Sequence, residues 1–245
     1  MFLNLINLPK TKINPPLPLR FATFQRTIWR GRFRARMNWP TRLPLVAILR
    51  GIHLHEAITH AQALVDAGFD TIEIPLNSPG WQASVAAVAA HCGAQALIGG
   101  GTVLHEDDVD ALVEAGGQLA VTPNTRPALI AHAVGRGLHV AAGFATASEA
   151  FAALEAGAQA LKLFPAASYG PGHVKALRAV LPPVPLLAVG GITPANLAEY
   201  LRAGCTGAGL GSDLYQPGQG AAQTAARARA FIDAFLRAQR SEPAA

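Results

Sequence analysis

A (β/α)8 barrel, the TIM-barrel class of α/β fold, is what this sequence predicts, on two features. From residue 43 onward, eight short apolar runs alternate with Ala-rich stretches that place Ala, Leu and Val at helical spacing. A weak internal repeat accompanies them: the pair Ala-Gly recurs in DAGFDTIEI, EAGGQLAVT, EAGAQALKL and RAGCTGAGL, each time two or three residues before an apolar run. The glycines of that repeat, Gly68, Gly116, Gly157 and Gly204, stand 48, 41 and 47 residues apart, a step of two strand–helix units. Eight such units close naturally on themselves, and the 209 residues from Met37 to the end suffice for a compact barrel. A doubly wound open sheet is the competing architecture, and the count of eight argues against it.

The elements follow in order. The first predicted strand, Leu45 to Leu49, ends at Arg50. HEAITHAQALVDAG then reads as a helix ending in glycine, a common residue just past a helix end. Thr71 to Ile74 sets Glu73 between two isoleucines. Ala96 to Ile98 is followed by GGGT, whose first polar side chain is Thr102. HEDDVD, from His105 to Asp110, fits a helix start with acids in its first turn better than a metal loop. Leu119 to Val121 leads to Pro123 and Asn124, and Leu138 to Ala141 leads to Phe144. ASEAFAALEAG is a further helix, after which Ala160 to Phe164 carries Lys162 in its middle. Leu186 to Val189 runs into Gly190 and Gly191, with Thr193 and Pro194 as helix cap and first helical residue. Gly207 to Leu210 runs into Gly211 and Ser212.

In such a barrel the polar residues at strand C-terminal ends build the active site. Strand side chains alternate, so Lys162 points opposite to Leu161 and Leu163, and Glu73 opposite to Ile72 and Ile74. With the flanking apolar residues against the helices, both charged groups face the barrel axis. A buried lysine either pairs with a carboxylate or loses its proton, and the neutral amine is a nucleophile able to form a Schiff base with a ketone. The alternatives are a Lys162–Glu73 ion pair kept for specificity, or a displaced strand with Lys162 snorkelling outward. Beyond residue 36 the chain uses ten arginines and only two lysines, Lys162 and Lys175, so a plain ion pair would more naturally have been an arginine. Lys175 falls in a helical stretch and is expected in solvent.

The glycine turns AVGGITPANL and GLGSDL suit phosphate, since backbone N–H groups without side chains can approach its oxygens. GGGT does not match GxGxxG and is weaker. HLHEAITH supplies His53, His55 and His60, but Thr59 stands where a zinc-protease HExxH needs histidine, so these read as solvated histidines at a helix start.

Charge is unevenly placed. The chain carries +5 overall, yet eight basic residues and no acid lie in residues 1–36, which leaves −3 for the remainder. Residues 1–36 therefore read as a basic N-terminal extension, set apart from a single domain over 37–245. An organellar transit peptide and a nucleic-acid-binding arm fit its composition, and a true start at Met37 fits its abrupt end. The two cysteines, Cys92 and Cys205, form no CxxC pair and suit a reducing compartment, with the cytoplasm the expected location. No apolar run approaches the roughly 18 residues of a membrane span.

Taken together, VAILRG, EIPLNSP, GGGTVL, VTPN, EAGAQALKLFPA, AVGGITPANL and GAGLGSDLY, over about Leu43 to Tyr215, resemble the 2-keto-3-deoxy-6-phosphosugar aldolases. These are class I enzymes on a (β/α)8 barrel. The run after Glu73, Ile-Pro-Leu-Asn-Ser-Pro, is similar to the galactonate branch, where the gluconate branch has Thr-x-Arg. The resemblance implies Lys162 as Schiff-base lysine and Glu73 as general acid/base. It implies Arg50 on the substrate carboxylate, Thr102 near the reacting carbons, and Gly190, Gly191, Gly211 and Ser212 on the phosphate. It further implies no metal or organic cofactor, a small phosphosugar acid as substrate in galactonate breakdown, and a homotrimer, with neither nucleic acid nor membrane as partner. An aldolase for the gluconate epimer or for 4-hydroxy-2-oxoglutarate is the alternative within the class. A non-enzymatic barrel that binds a phosphate ligand or nucleic acid is the alternative outside it.

Overall fold

The computed structural model describes residues 39–240, so the basic extension and the Met37 start lie outside the described residues. Eight strands form a closed parallel barrel in chain order: β1 (Leu45–Ile48), β2 (Thr71–Pro75), β3 (Leu97–Gly101), β4 (Leu119–Val121), β5 (His139–Phe144), β6 (Ala160–Leu163), β7 (Leu186–Val189) and β8 (Gly207–Leu210), with β8 pairing back onto β1. The helices that follow them are α1 (Leu54–Ala67), α2 (Trp81–Cys92), α3 (Glu106–Glu114), α4 (Pro127–Gly135), α5 (Ala147–Glu155), α6 (Ala166–Arg178), α7 (Leu197–Arg202) and α8 (Ala221–Arg240).

The repeat has a stereochemical cause. Gly68, Gly116, Gly157 and Gly204 all adopt left-handed backbone, with φ of 109°, 80°, 105° and 113°, as their chains turn from α1, α3, α5 and α7 toward the next strand. Each donates its N–H back to a carbonyl of the last helical turn, for example Gly68 to Val65 at 2.9 Å. A Cβ makes that conformation costly, which is why glycine recurs there.

Within the barrel, Val46 and Ile48 pack on Leu187 and Val189, while Leu119, Val121, Ala141 and Ala160 form a second cluster. Trp39 touches both clusters and so lies across the N-terminal end of the interior. Each fully buried Leu or Val there contributes about 1.5–3 kcal/mol relative to exposure. Ala160 faces inward in this packing, and strand alternation therefore turns Lys162 inward as well.

Three strands outrun their sequence boundaries, β2 by the single residue Pro75. β3 continues through Gly99, Gly100 and Gly101, which the sequence reading placed in a loop, because close neighbours there leave no room for side chains. A Cβ at Gly100 would come 2.5 Å from Leu76 Cδ1, and one at Gly99 would overlap the Leu119 carbonyl. β5 continues to Phe144, which is 2% exposed and takes no part in the cavity described below. Among the described residues, no helix is long and apolar enough to cross a membrane.

Candidate active site

At the C-terminal mouth of the barrel the loops enclose a cavity of about 150 Å³. Every sequence-predicted site residue except Glu73 lines it, and Glu73 is buried on β2. Pro123 lines the cavity too; Asn124 does not.

Lys162 is 4% exposed and Glu73 1%, and each is held by strand register, Lys162 opposite Gly143 and Leu187, Glu73 opposite Gly99 and Ile48. Burial pushes the Lys162 ammonium below its ordinary range; the Glu73 charge opposes that shift and the Arg50 charge adds to it. Burial likewise pushes the Glu73 carboxyl up, against the lowering fields of Lys162 and Arg50. Desolvation is the largest influence on both groups, so burial shifts the amine and the carboxyl each toward its neutral form. A neutral amine is a nucleophile and a neutral carboxyl a proton donor.

The carboxyl has room because β3 is glycine where the two meet: a Cβ at Gly101 would overlap Glu73 Oε1. Glu73 Oε1 is buried without a hydrogen-bond partner, a cost that a bound hydroxyl or water would relieve. On the other flank, Gly143 lets the Pro123–Asn124 backbone close against β5, and its N–H donates to Thr122 Oγ1 at 3.0 Å.

Arg50 follows β1 and is exposed. Its Nη1 donates to Asn77 Oδ1 at 2.9 Å and its Nη2 to Thr102 Oγ1 at 3.4 Å. No carboxylate pairs with Arg50 among the described residues. The guanidinium is thus oriented by neutral groups, its charge left for an anion. Thr102 has φ of 58°, the only left-handed residue besides glycines among the described residues, a strained state for a β-branched side chain that marks functional sites. Gly51 N–H donates to Ser78 Oγ at 2.9 Å, so the loop after β2 holds the loop after β1 in place.

After β7, Gly190 and Gly191 turn sharply with φ of 94° and 75°, and a Cβ at Gly191 would lie 2.5 Å from Ala167 Cβ. Gly211 and Ser212 complete that wall. Phe164, 39% exposed, stands over the lysine with its ring centroid 5.2 Å from Nζ.

Some sequence expectations need correction. α7 begins at Leu197, capped at Asn196, because a turn through Pro194 and Ala195 intervenes. Thr193 still exchanges bonds with Asn196 one turn upstream: its N–H donates to Asn196 Oδ1 at 2.9 Å and its Oγ1 accepts from Asn196 N at 3.3 Å. His60 is 3% exposed rather than solvated, since the seventh residue of α1 faces α8, where His60 Nδ1 lies 2.8 Å from Thr224 Oγ1. His53 and His105 cap α1 and α3, and Glu106, Asp107 and Asp108 occupy the first turn of α3, as expected. Lys175 is exposed, and Cys92 and Cys205 are buried free thiols. The orienting role of Asn77 and the wall positions of Phe164 and Asp213 escaped the sequence reading. Their only signal was adjacency, since Asn77 lies in the run after Glu73, Phe164 follows the lysine strand, and Asp213 follows Ser212.

A family model described as KDPG and KHG aldolase matches residues 38–227. The 2-dehydro-3-deoxy-6-phosphogalactonate aldolase of Escherichia coli strain K12 is 57% identical over 203 residues, which span 82% of this chain and 99% of that protein. A Rhizobium meliloti strain 1021 protein, named a probable aldolase for the same compound, is 44% identical over 197 residues, 80% of this chain and 93% of that one. A solved structure described as native KDPGal superposes with a TM-score of 0.82 at 56% identity, covering 83% of this chain and all of the other. The match therefore embraces the whole described barrel from β1 to the first turns of α8, and the chain belongs to the KDPG and KHG aldolase family.

Proposed function

We propose that the chain is a Schiff-base aldolase that cleaves 2-dehydro-3-deoxy-6-phospho-D-galactonate to pyruvate and D-glyceraldehyde 3-phosphate. The observation that carries this reading is a buried lysine whose pKa is driven down beside a buried glutamate whose pKa is driven up, inside a barrel mouth. The substrate is taken from the named relatives at 57% and 44% identity.

In the proposed sequence, the Lys162 amine attacks the C2 ketone and Glu73 delivers the proton that lets the carbinolamine lose water. The iminium formed is an electron sink. Glu73, now a carboxylate, takes the C4 hydroxyl proton directly or through one water; the C3–C4 electron pair moves into the enamine, and the aldehyde phosphate leaves. The enamine takes a proton at C3, and water hydrolyses the resulting iminium to pyruvate and the free lysine. Arg50 holds the C1 carboxylate in its planar fork, Thr102 bonds near the reacting carbons, and Gly190, Gly191, Gly211 and Ser212 receive the phosphate.

Borohydride reduction in the presence of pyruvate, followed by peptide mass mapping, tests the chemistry: a stable adduct on Lys162 is expected, and an adduct on Lys175 or none at all would refute it. Kinetics with the galactonate and gluconate epimers tests the substrate, and a higher kcat/KM for the gluconate compound would reassign it. The family resemblance makes a cytoplasmic homotrimer the expected form, which sedimentation of the purified chain checks for assembly.

A further inference from the structure

The phosphate wall is backbone, so its affinity depends on where its N–H groups point. In a trans peptide the C=O and the following N–H point in opposite directions, so whatever pulls a carbonyl outward turns the next N–H inward. After β8, Gly211 O accepts from the N–H groups of Leu214 and Tyr215, both at 2.9 Å. The N–H groups of Ser212 and Asp213, both on the cavity wall, have no acceptor among the described residues. Ser212 O is pulled away by Arg227 Nη1 at 3.2 Å and Gln216 Nε2 at 3.0 Å, neither of which lines the cavity. The loop after β7 repeats the device. Gly190 O accepts from Ala167 N at 3.0 Å and Gly191 O from Asn196 Nδ2 at 2.9 Å, leaving the N–H groups of Gly191 and Ile192 without an acceptor on the wall.

Arg227 is itself braced. Its Nη1 also donates to Gln219 Oε1 at 3.0 Å, and Gln219 Nε2 donates to Leu214 O at 3.0 Å and to Thr224 Oγ1 at 2.7 Å, beside the buried His60. No carboxylate pairs with Arg227 among the described residues. The cavity wall carries no cation besides Arg50 and Lys162, and it carries Asp213 next to Ser212.

We propose that Arg227 and Asn196, both outside the cavity, are positioning residues for the phosphate end of the substrate. They turn the Ser212 and Gly191 carbonyls outward, aim the Asp213 and Ile192 N–H groups inward, and Arg227 sets a positive charge behind a loop that bears a carboxylate. This rests on the reading above that these loops receive the phosphate.

Two variants separate aim from simple folding. Asn196→Asp keeps an acceptor for Thr193 N–H and removes the donor to Gly191. Arg227→Met combined with Gln216→Leu removes both donors to Ser212. Calorimetry gives the Kd for inorganic phosphate, steady-state kinetics the KM for the phosphorylated keto-deoxy acid, and borohydride trapping the pyruvate adduct on Lys162. Each variant is expected to raise Kd and KM about tenfold, the usual weight of a lost charge-assisted or aimed hydrogen bond. Because the effect is on binding alone, kcat stays within about twofold. Pyruvate trapping is unchanged, since pyruvate carries no phosphate, and Arg227→Lys falls between wild type and the double variant. Unchanged phosphate affinity in both variants overturns the proposal, and so does a parallel fall in pyruvate trapping, the mark of general loosening. If the wild-type chain binds phosphate and the variants weaken it while no chain traps pyruvate, the aldolase reading fails and the positioning role stands.

Discussion

The cavity has two walls made from different parts of the chain. The side-chain part, from β6, the loop after β1 and β2 behind the cavity, works through titratable groups: Lys162 and Glu73 sit at 4% and 1% exposure with their pKa values driven in opposite directions, and Arg50 is held by Asn77 and Thr102. The wall of β7 and β8 works through backbone, with Gly190 and Gly191 in left-handed turns and Ser212 tethered from α8. The first wall derives reactivity from desolvation, which is strongest where the protein is tightly packed. The second derives affinity from direction, which costs little desolvation and tolerates exposure. Damage to Lys162 or Glu73 is therefore expected to strike kcat, and damage to the second wall to strike phosphate binding.

The sharpest break is Lys162→Met. It removes the nucleophile, so turnover should fall by at least about 10³-fold. Because burial disfavours the charged form of both groups, the same variant should melt no lower than wild type. A lower Tm would show that an ion pair, rather than desolvation, governs the two groups. Glu73→Gln keeps the shape and removes the proton shuttle, so kcat should drop by about 10²–10⁴-fold with substrate KM little moved. Gly101→Ala comes next: its methyl competes for the space of Glu73 Oε1, and displacing the carboxyl by even ~1 Å should cost about 10²-fold in kcat.

Arg50→Met is the smallest effect and tests the link between the walls. Losing the carboxylate clamp should raise substrate KM by about tenfold. It also removes a cation that lowers the Lys162 pKa, so that pKa rises and the amine stays protonated to higher pH. The acid limb of the kcat/KM profile should therefore shift upward in pH relative to wild type. Arg50 lowers the Glu73 pKa as well, so its loss moves both groups the same way, and an unmoved or downward-shifted limb would show that the Arg50 charge does not act on the pair.

The side-chain wall was legible in the sequence because its signals are local. A lysine amid LKLFPAA and a glutamate amid TIEIP break apolar strand patterns, and period-two alternation alone turns them inward. The glycine wall was half legible: GGIT and GLGS announce turns close to a ligand, but not which N–H groups face it. GGG before Thr102 misled, since glycines that make room for Leu119, Leu76 and Glu73 look on paper like loop. His60 misled in the opposite sense, its burial depending on α8, 164 residues away at Thr224.

By itself, then, the sequence determined the closed count of eight strand–helix units, the helix-ending glycines and the inward lysine and glutamate, because periodicity and backbone stereochemistry act within a few residues. Only the tertiary structure decided that Gly101 makes room for Glu73, that Asn77 orients Arg50, and that Asn196 and Arg227 hold the loops after β7 and β8 from behind. Those contacts join side chains on different strands, loops and helices. Their geometry exists only once barrel closure has brought β1 against β8 and laid α8 beside α1.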